Sequence, residues 1–249
     1  MRRDKGLLAE HEFLRRTEPF VTHAVARVAE RCPRARGWLD VLDAYEWNGL
    51  DAIRTIDLRW QHHAHLREAS GSEFARVVND VILAWGSSQK RRRLPPLRDR
   101  ALRGVVRSLA VLDAYGDDIQ RLQRIYGQRI ASVSKVYSTW DPNKWVIYDS
   151  RVGAALSWLI SDWWTSIGAE LEDEHLRLDL PPAQVKSRKC DPGFETTTSA
   201  VGLRRAFVYA SWICRHVAGR LEAARFAPPS GETRWRAQHV EMALFVLGK

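Results

Sequence analysis

Apolar side chains recur along this chain with a helical period. Between Gly71 and Gly86, the residues Phe74, Val77, Val78, Val81, Ile82 and Trp85 fall at i, i+3, i+4, i+7, i+8 and i+11. That spacing is one face of a helix, and Ser72 is a natural N-cap for it. The same period returns in Leu102, Val105, Val106, Leu109 and Leu112, in Leu203, Phe207, Ala210, Cys214 and Val217, and in Val240, Ala243, Leu244 and Leu247. Alternation with period two is confined to the short WVIY at 145–148. The pattern predicts helices near 7–31, 37–47, 50–66, 71–86, 98–115, 117–126, 129–140, 150–167, 198–225 and 231–247, and therefore an all-α fold. Two segments break the pattern, SSQKRRRLPPL at 87–97 and the stretch 168–197, and both read as surface connections. The pentapeptide VLDAY occurs at Val41–Tyr45 and again at Val111–Tyr115, but the flanking sequence does not repeat, so no solenoid is expected.

Composition adds the size of the core and the character of the partner. With 249 residues and 45% hydrophobic content, the chain can bury a full core as one large or two small domains. Its 39 basic residues exceed its 30 acidic ones, for a net charge of +9, which points to a polyanionic partner. The excess is local. Between Ser87 and Arg151 fourteen cations face six anions, a surplus of eight, whereas Glu170, Glu172, Asp173 and Glu174 make the following segment acidic. The basic centre is where nucleic acid is expected.

The three cysteines, Cys32, Cys190 and Cys214, are odd in number and lack CxxC spacing, which argues against a disulfide framework, a structural zinc or an iron-sulfur cluster and for a reducing cytoplasm. No stretch approaches the ~20 apolar residues that span a bilayer, so no membrane is expected. His62, His63 and His65 lack a third ligand at a recognisable spacing, and no metal or other cofactor is expected. Neither GxGxxG nor GxxxxGK occurs, which disfavours hydride and phosphoryl transfer.

The segment Ile125–Leu156, IYGQRIASVSKVYSTWDPNKWVIYDSRVGAAL, concentrates the candidate chemistry. Its first half reads as a helix end closed by Gly127, an abrupt turn, and a second helix with Ile130, Val133, Tyr137 and Trp140 inward. Gln128, Ser132, Lys135 and Thr139 form the opposite stripe. Such a stripe at a helix N-terminus is either an ordinary solvated face or a phosphate seat, in which unpaired N–H groups and Lys135 attract the anion. Its second half places an Asp-Pro-Asn turn, a short extended run, and Asp149 directly before the next helix. From spacing alone, Asp149 is either a helix N-cap or a catalytic carboxylate. Lys135 is a nucleophilic amine, a phosphate clamp or a solvated side chain.

This arrangement resembles the helix-hairpin-helix DNA glycosylase superfamily. There a hairpin with a Gly turn precedes a short extended segment ending in apolar-Asp-Ser/Thr-His/Arg-apolar, which YDSRV matches. SVSKVYSTWDPNKWVIYDSRV and the terminal VEMALFVLGK look most like the bacterial branch related to 8-oxoguanine glycosylases. The departures are that the family's Leu-Pro-Gly-Val-Gly turn keeps only Gly127, and that the interval from Lys135 to Asp149 is shorter than that of bifunctional members. The resemblance implies one glycosylase-like unit, with a central helical subdomain at 71–167, a second subdomain from 1–66 plus 198–249, and a DNA cleft between them. It implies a monomer that binds double-stranded DNA with a modified base, flips that base out, and cleaves its N-glycosidic bond. The base is an oxidised purine, or a hypermodified base of phage DNA in a defence role.

Asp149 is then the carboxylate that stabilises an oxocarbenium-like sugar, with Lys135 the second catalytic candidate. Gly127, Gln128, Arg129, Ser132, Ser134, Arg151, Arg91, Arg92 and Arg93 are the expected DNA contacts. Trp140, Trp145 and Tyr148 are the aromatic candidates for stacking on the flipped base. A non-catalytic DNA-binding regulator and a nucleoside hydrolase acting on small molecules are the alternative functions.

Overall fold

A computed structural model of the chain describes residues 7–31, 37–86, 97, 99–114, 118–167, 197, 199–229 and 231–248. Ten helices run through these residues. They are α1 (Glu10–Arg31), α2 (Trp38–Asp43), α3 (Ala52–Glu68), α4 (Gly71–Ala84), α5 (Asp99–Ala114), α6 (Ile119–Leu122), α7 (Ile130–Trp140), α8 (Ser150–Ser166), α9 (Ala200–Ala223) and α10 (Ala237–Leu247). No strand forms among the described residues, and the expected all-α class holds. None of their helices is long and apolar enough to cross a membrane.

Three helices are shorter than the spacing predicts, each for a local reason. Helix α2 stops at Asp43 because Asn48 and Gly49, at φ 51° and 80°, close a two-residue turn. Trp47 and Leu50 exchange both backbone hydrogen bonds across it at 2.9 Å. Helix α6 ends at Leu122 because the next amides take i−3 acceptors, and the Tyr126 N–H is taken by Ser108 Oγ at 2.7 Å. Helix α10 starts at Ala237 because the Arg236 N–H donates to His239 Nδ1 at 3.0 Å, a side-chain cap that fixes the first turn.

The helices form two groups around one continuous core. In one, α1 lies against α8 and α9, and α10 lies against α2, α8 and α9. In the other, α7 is held by α3, α4 and α5, and it also touches α9. Packing therefore moves two helices across the division expected from chain order. Helix α3 sits with α4 and α7, although most of it falls in 1–66, and α8 sits with α1 and α10, although it falls in 71–167.

Helix α7 is the structural surprise, because eight of its eleven residues are buried. The expected solvated or phosphate-binding stripe does not exist in that form, since Lys135 and Thr139 are both inside. Its buried hydroxyls differ in how they are satisfied: Ser138 Oγ donates to Lys135 O at 3.0 Å within the same helix, Ser134 Oγ accepts from the Tyr148 amide, and Thr139 Oγ1 has no partner among the described residues.

Candidate active site

The WVIY run is an extended connection through the interior, and its amides have no sheet to bond to. Side chains from three helices replace a neighbouring strand. The Val146 N–H donates to Ser211 Oγ on α9 at 3.4 Å, the Ile147 N–H to Glu241 Oε2 on α10 at 2.8 Å, and the Tyr148 N–H to Ser134 Oγ on α7 at 3.0 Å. These anchors deliver Asp149 to the start of α8. There its Oδ1 accepts from the Arg151 and Val152 amides at 2.9 and 3.1 Å. Among the described residues no donor reaches Oδ2, so the carboxylate caps a helix with one oxygen and keeps the other available.

Asp149 lines a small cavity together with Glu241, Ile147, Val152, Tyr45, Trp47, Trp85 and Phe245. The enclosed volume is about 20 Å³, room for a water. Four of these residues are aromatic, with Phe245 edge-on to both Tyr45 and Trp47, at centroid separations of 5.6 and 5.5 Å. The Asn48-Gly49 turn brings Trp47 in, and Trp47 Nε1 fixes it by donating to Ala84 O at 2.9 Å. Trp85 Nε1 is buried with no acceptor among the described residues. Arg151 lays its guanidinium over the Phe245 ring, 4.2 Å from the centroid, so a cation caps the aromatic wall beside Asp149.

Beneath this wall lies a buried ion pair. Arg59, with a fully buried side chain, donates two hydrogen bonds to Glu241, Nη1 to Oε2 at 2.9 Å and Nη2 to Oε1 at 2.8 Å. Burial alone would depress the Arg59 pKa, but the carboxylate in contact with it more than offsets this and holds it above the ordinary value. Burial and the nearby Glu241 charge also push the Tyr45 phenol well above its usual range.

Lys135 lies beneath the same site. Burial lowers its pKa, opposed by the fields of Asp149 and Glu241. Its ammonium donates to Ala131 O of its own helix. A side chain only 6% exposed and bonded inward cannot clamp a backbone phosphate, which corrects that reading of Lys135. What the geometry leaves is an amine with a depressed pKa in the field of Asp149.

Three further expectations are corrected. Ser134 is fully buried and holds the Tyr148 amide, so it makes no DNA contact. Trp145 and Tyr148 are fully buried in the core, with Trp145 stacked on Phe207 at 5.4 Å, so neither lines the cavity. Trp140 is half-buried but lies away from it, its ring under the Arg67 guanidinium at 3.8 Å and its Nε1 donating to Asp113 Oδ1 at 2.9 Å.

The hairpin keeps its polar rim. Gln128 and Arg129 are exposed and Ser132 is half-buried. The residue with positive φ is Arg129 itself, at φ 55° and ψ 37°, preceding the first turn of α7. Gly127 serves otherwise. It is buried, and a Cβ there would collide with the carbonyl oxygen of Ala200, so it is required for close approach to α9. Arg91, Arg92 and Arg93 lie outside the described residues.

Among the described residues no group of three His, Cys, Asp or Glu side chains converges as a metal site. His62 packs edge-on to Trp85 at 5.5 Å, and His63 Nδ1 is 3.0 Å from Thr139 O.

Sequence reading missed Tyr45, Trp47, Arg59, Trp85, Glu241 and Phe245. Two signals were present. One is the Asn-Gly pair after Trp47, which marks a tight turn; the other is a lone Glu in the apolar run Val240–Leu247, which requires a buried partner. No family model, curated protein or solved structure matches this chain.

Proposed function

We propose that this chain is a helix-hairpin-helix DNA glycosylase that excises a modified base from double-stranded DNA by hydrolysing its N-glycosidic bond. The observation that carries this reading is Asp149, with one oxygen committed to the start of α8 and the other without a hydrogen-bond partner among the described residues, beside an aromatic cavity. Departure of the base leaves positive charge on the sugar, and a fixed carboxylate stabilises it and orients a water. The flipped base enters by displacing the Arg151–Phe245 stack, after which Tyr45, Trp47 and Trp85 offer faces for stacking and the Trp85 N–H a donor. Gln128, Arg129, Ser132 and Arg151 take backbone phosphates in a cleft between the two helical groups. The enzyme acts as a cytoplasmic monomer, on an oxidised purine or on a hypermodified phage base in a defence role.

One observation favours a second reading. The cavity as it stands has room for a water and not for a base, as expected of a non-catalytic DNA-binding regulator. The two readings separate on a panel of duplexes, each with one modified base, incubated with the protein and then treated with alkali. Strand breaks at one modification, lost in Asp149→Asn, support the glycosylase. Tight binding with no break on any duplex supports the regulator.

A further inference from the structure

A second concavity shares no lining residue with the cavity around Asp149. Its floor is the loop 124–128, one wall is α5 and another is the start of α9. Its volume is about 530 Å³, within the usual range of small-molecule sites. Five arginines converge on it. Arg100, Arg103 and Arg107 recur at i, i+3 and i+7 along one face of α5, Arg124 comes from the loop and Arg204 from α9.

These guanidiniums are treated differently from others on the same molecule. Arg54, Arg67, Arg76 and Arg121 each pair with an Asp or Glu. Among the described residues, none of the five around this basin has a carboxylate within 4 Å. Five like charges around one hollow repel one another, and among the described residues no acidic side chain lines it. Arg204 donates through Nη1 to Gln123 O, while its buried Nε has no acceptor among the described residues.

The floor is aromatic. Gly104 on α5 lets the Tyr126 ring lie directly on the helix backbone, where a Cβ would come within 2.7 Å of the ring. The ring is held there by the Tyr126 hydroxyl, which donates to Gln128 Oε1 at 3.2 Å.

We propose that this basin binds a free, compact ligand carrying at least two adjacent phosphate groups, of which a nucleoside triphosphate is representative. Guanidiniums match phosphate oxygens in geometry and charge. The concave shape selects the source of those phosphates. A duplex carries its phosphates on the outside of a rod and meets the rim of such a hollow. A small oligophosphate enters it and meets donors from three directions at once. The Tyr126 ring gives an attached base a face to lie against.

The test is calorimetric titration of the full chain with sodium tripolyphosphate and with ATP, at about 0.15 M salt so that weak surface attraction is screened. One site per chain is expected. Arg103→Ala/Arg107→Ala removes two exposed side chains from the basin and should weaken both ligands at least tenfold, roughly the loss of one or two charge-assisted contacts. Arg54→Ala/Arg76→Ala removes the same charge from helix surfaces elsewhere and should leave affinity unchanged, with thermal midpoints confirming that both variants fold. No tripolyphosphate binding to the unaltered chain, or binding indifferent to the basin substitutions, overturns the proposal. So does a basin variant that loses unmodified duplex while the unaltered chain ignores tripolyphosphate, since the basin would then be a DNA contact. The readout needs no DNA and no base release, so its outcome is independent of the glycosylase reading.

Discussion

On the proposed reading Asp149 carries two roles on two oxygens, and a single substitution separates them. Asn caps helices about as well as Asp, but it cannot supply negative charge. Asp149→Asn should therefore keep its thermal midpoint and its affinity for duplex while base release falls roughly a hundredfold or more. Unchanged release in a folded variant removes Asp149 from the chemistry. Lys135 is the second residue to resolve. Hydrolysis by water leaves no covalent intermediate, so borohydride added during turnover should trap no protein–DNA adduct. An adduct that disappears in Lys135→Met would instead make the amine the nucleophile and the enzyme a lyase.

At the level of elements, α3, α10 and the 145–148 connection are joined through one carboxylate. Breaking a buried pair from one side strands a charge, so Arg59→Leu should cost about 3–5 kcal/mol in denaturant unfolding. Arg59→Leu/Glu241→Gln should recover part of that loss, because a neutral amide oxygen still accepts from the Ile147 amide. A double variant that loses as much as Arg59→Leu and Glu241→Gln added together would show that the pair contributes no coupling.

Helix α10 also carries a pH dependence. His239 is buried, with Nδ1 accepting the Arg236 amide, and burial together with the Arg236 and Arg59 charges lowers its pKa from 6.5 to about 4. Its contribution is fully present above pH 6.5 and is lost as pH falls toward 4, because the unfolded chain takes up the proton first. The loss should amount to roughly 3 kcal/mol across that window. His239→Asn should flatten this part of the stability profile.

Helix positions were legible because apolar spacing is set by the same core that stabilises the helices. The site was legible only in part. Asp149 could be found since the signal lies within a few consecutive residues. Lys135 and Thr139 misled because polar residues at helical spacing look like an exposed face, whereas here α3, α4 and α5 enclose them. Arg59 and Glu241 are 182 positions apart, and no local pattern links them.

Across the whole molecule, the charge excess predicts a salt-sensitive association with DNA. Log affinity should fall with log salt by about 0.9 for each phosphate neutralised. Arg129→Gly keeps a residue suited to positive φ while removing the charge, so it should lower that slope by about one contact without disturbing α7. An unchanged slope would take the hairpin tip out of the DNA interface.

Helix α10 is buried at nine of its eleven positions and touches α2, α3, α8 and α9, although it follows all of them in the chain. During synthesis, a nascent polypeptide that has released the other helices from the ribosome still lacks the piece their apolar faces share. Arg59 meanwhile waits for Glu241, and Ile147 has no acceptor for its amide. Closure of this core therefore waits for the last made of the five helices that share it, and until then the emerged helices are natural clients for a chaperone that shields exposed apolar surface.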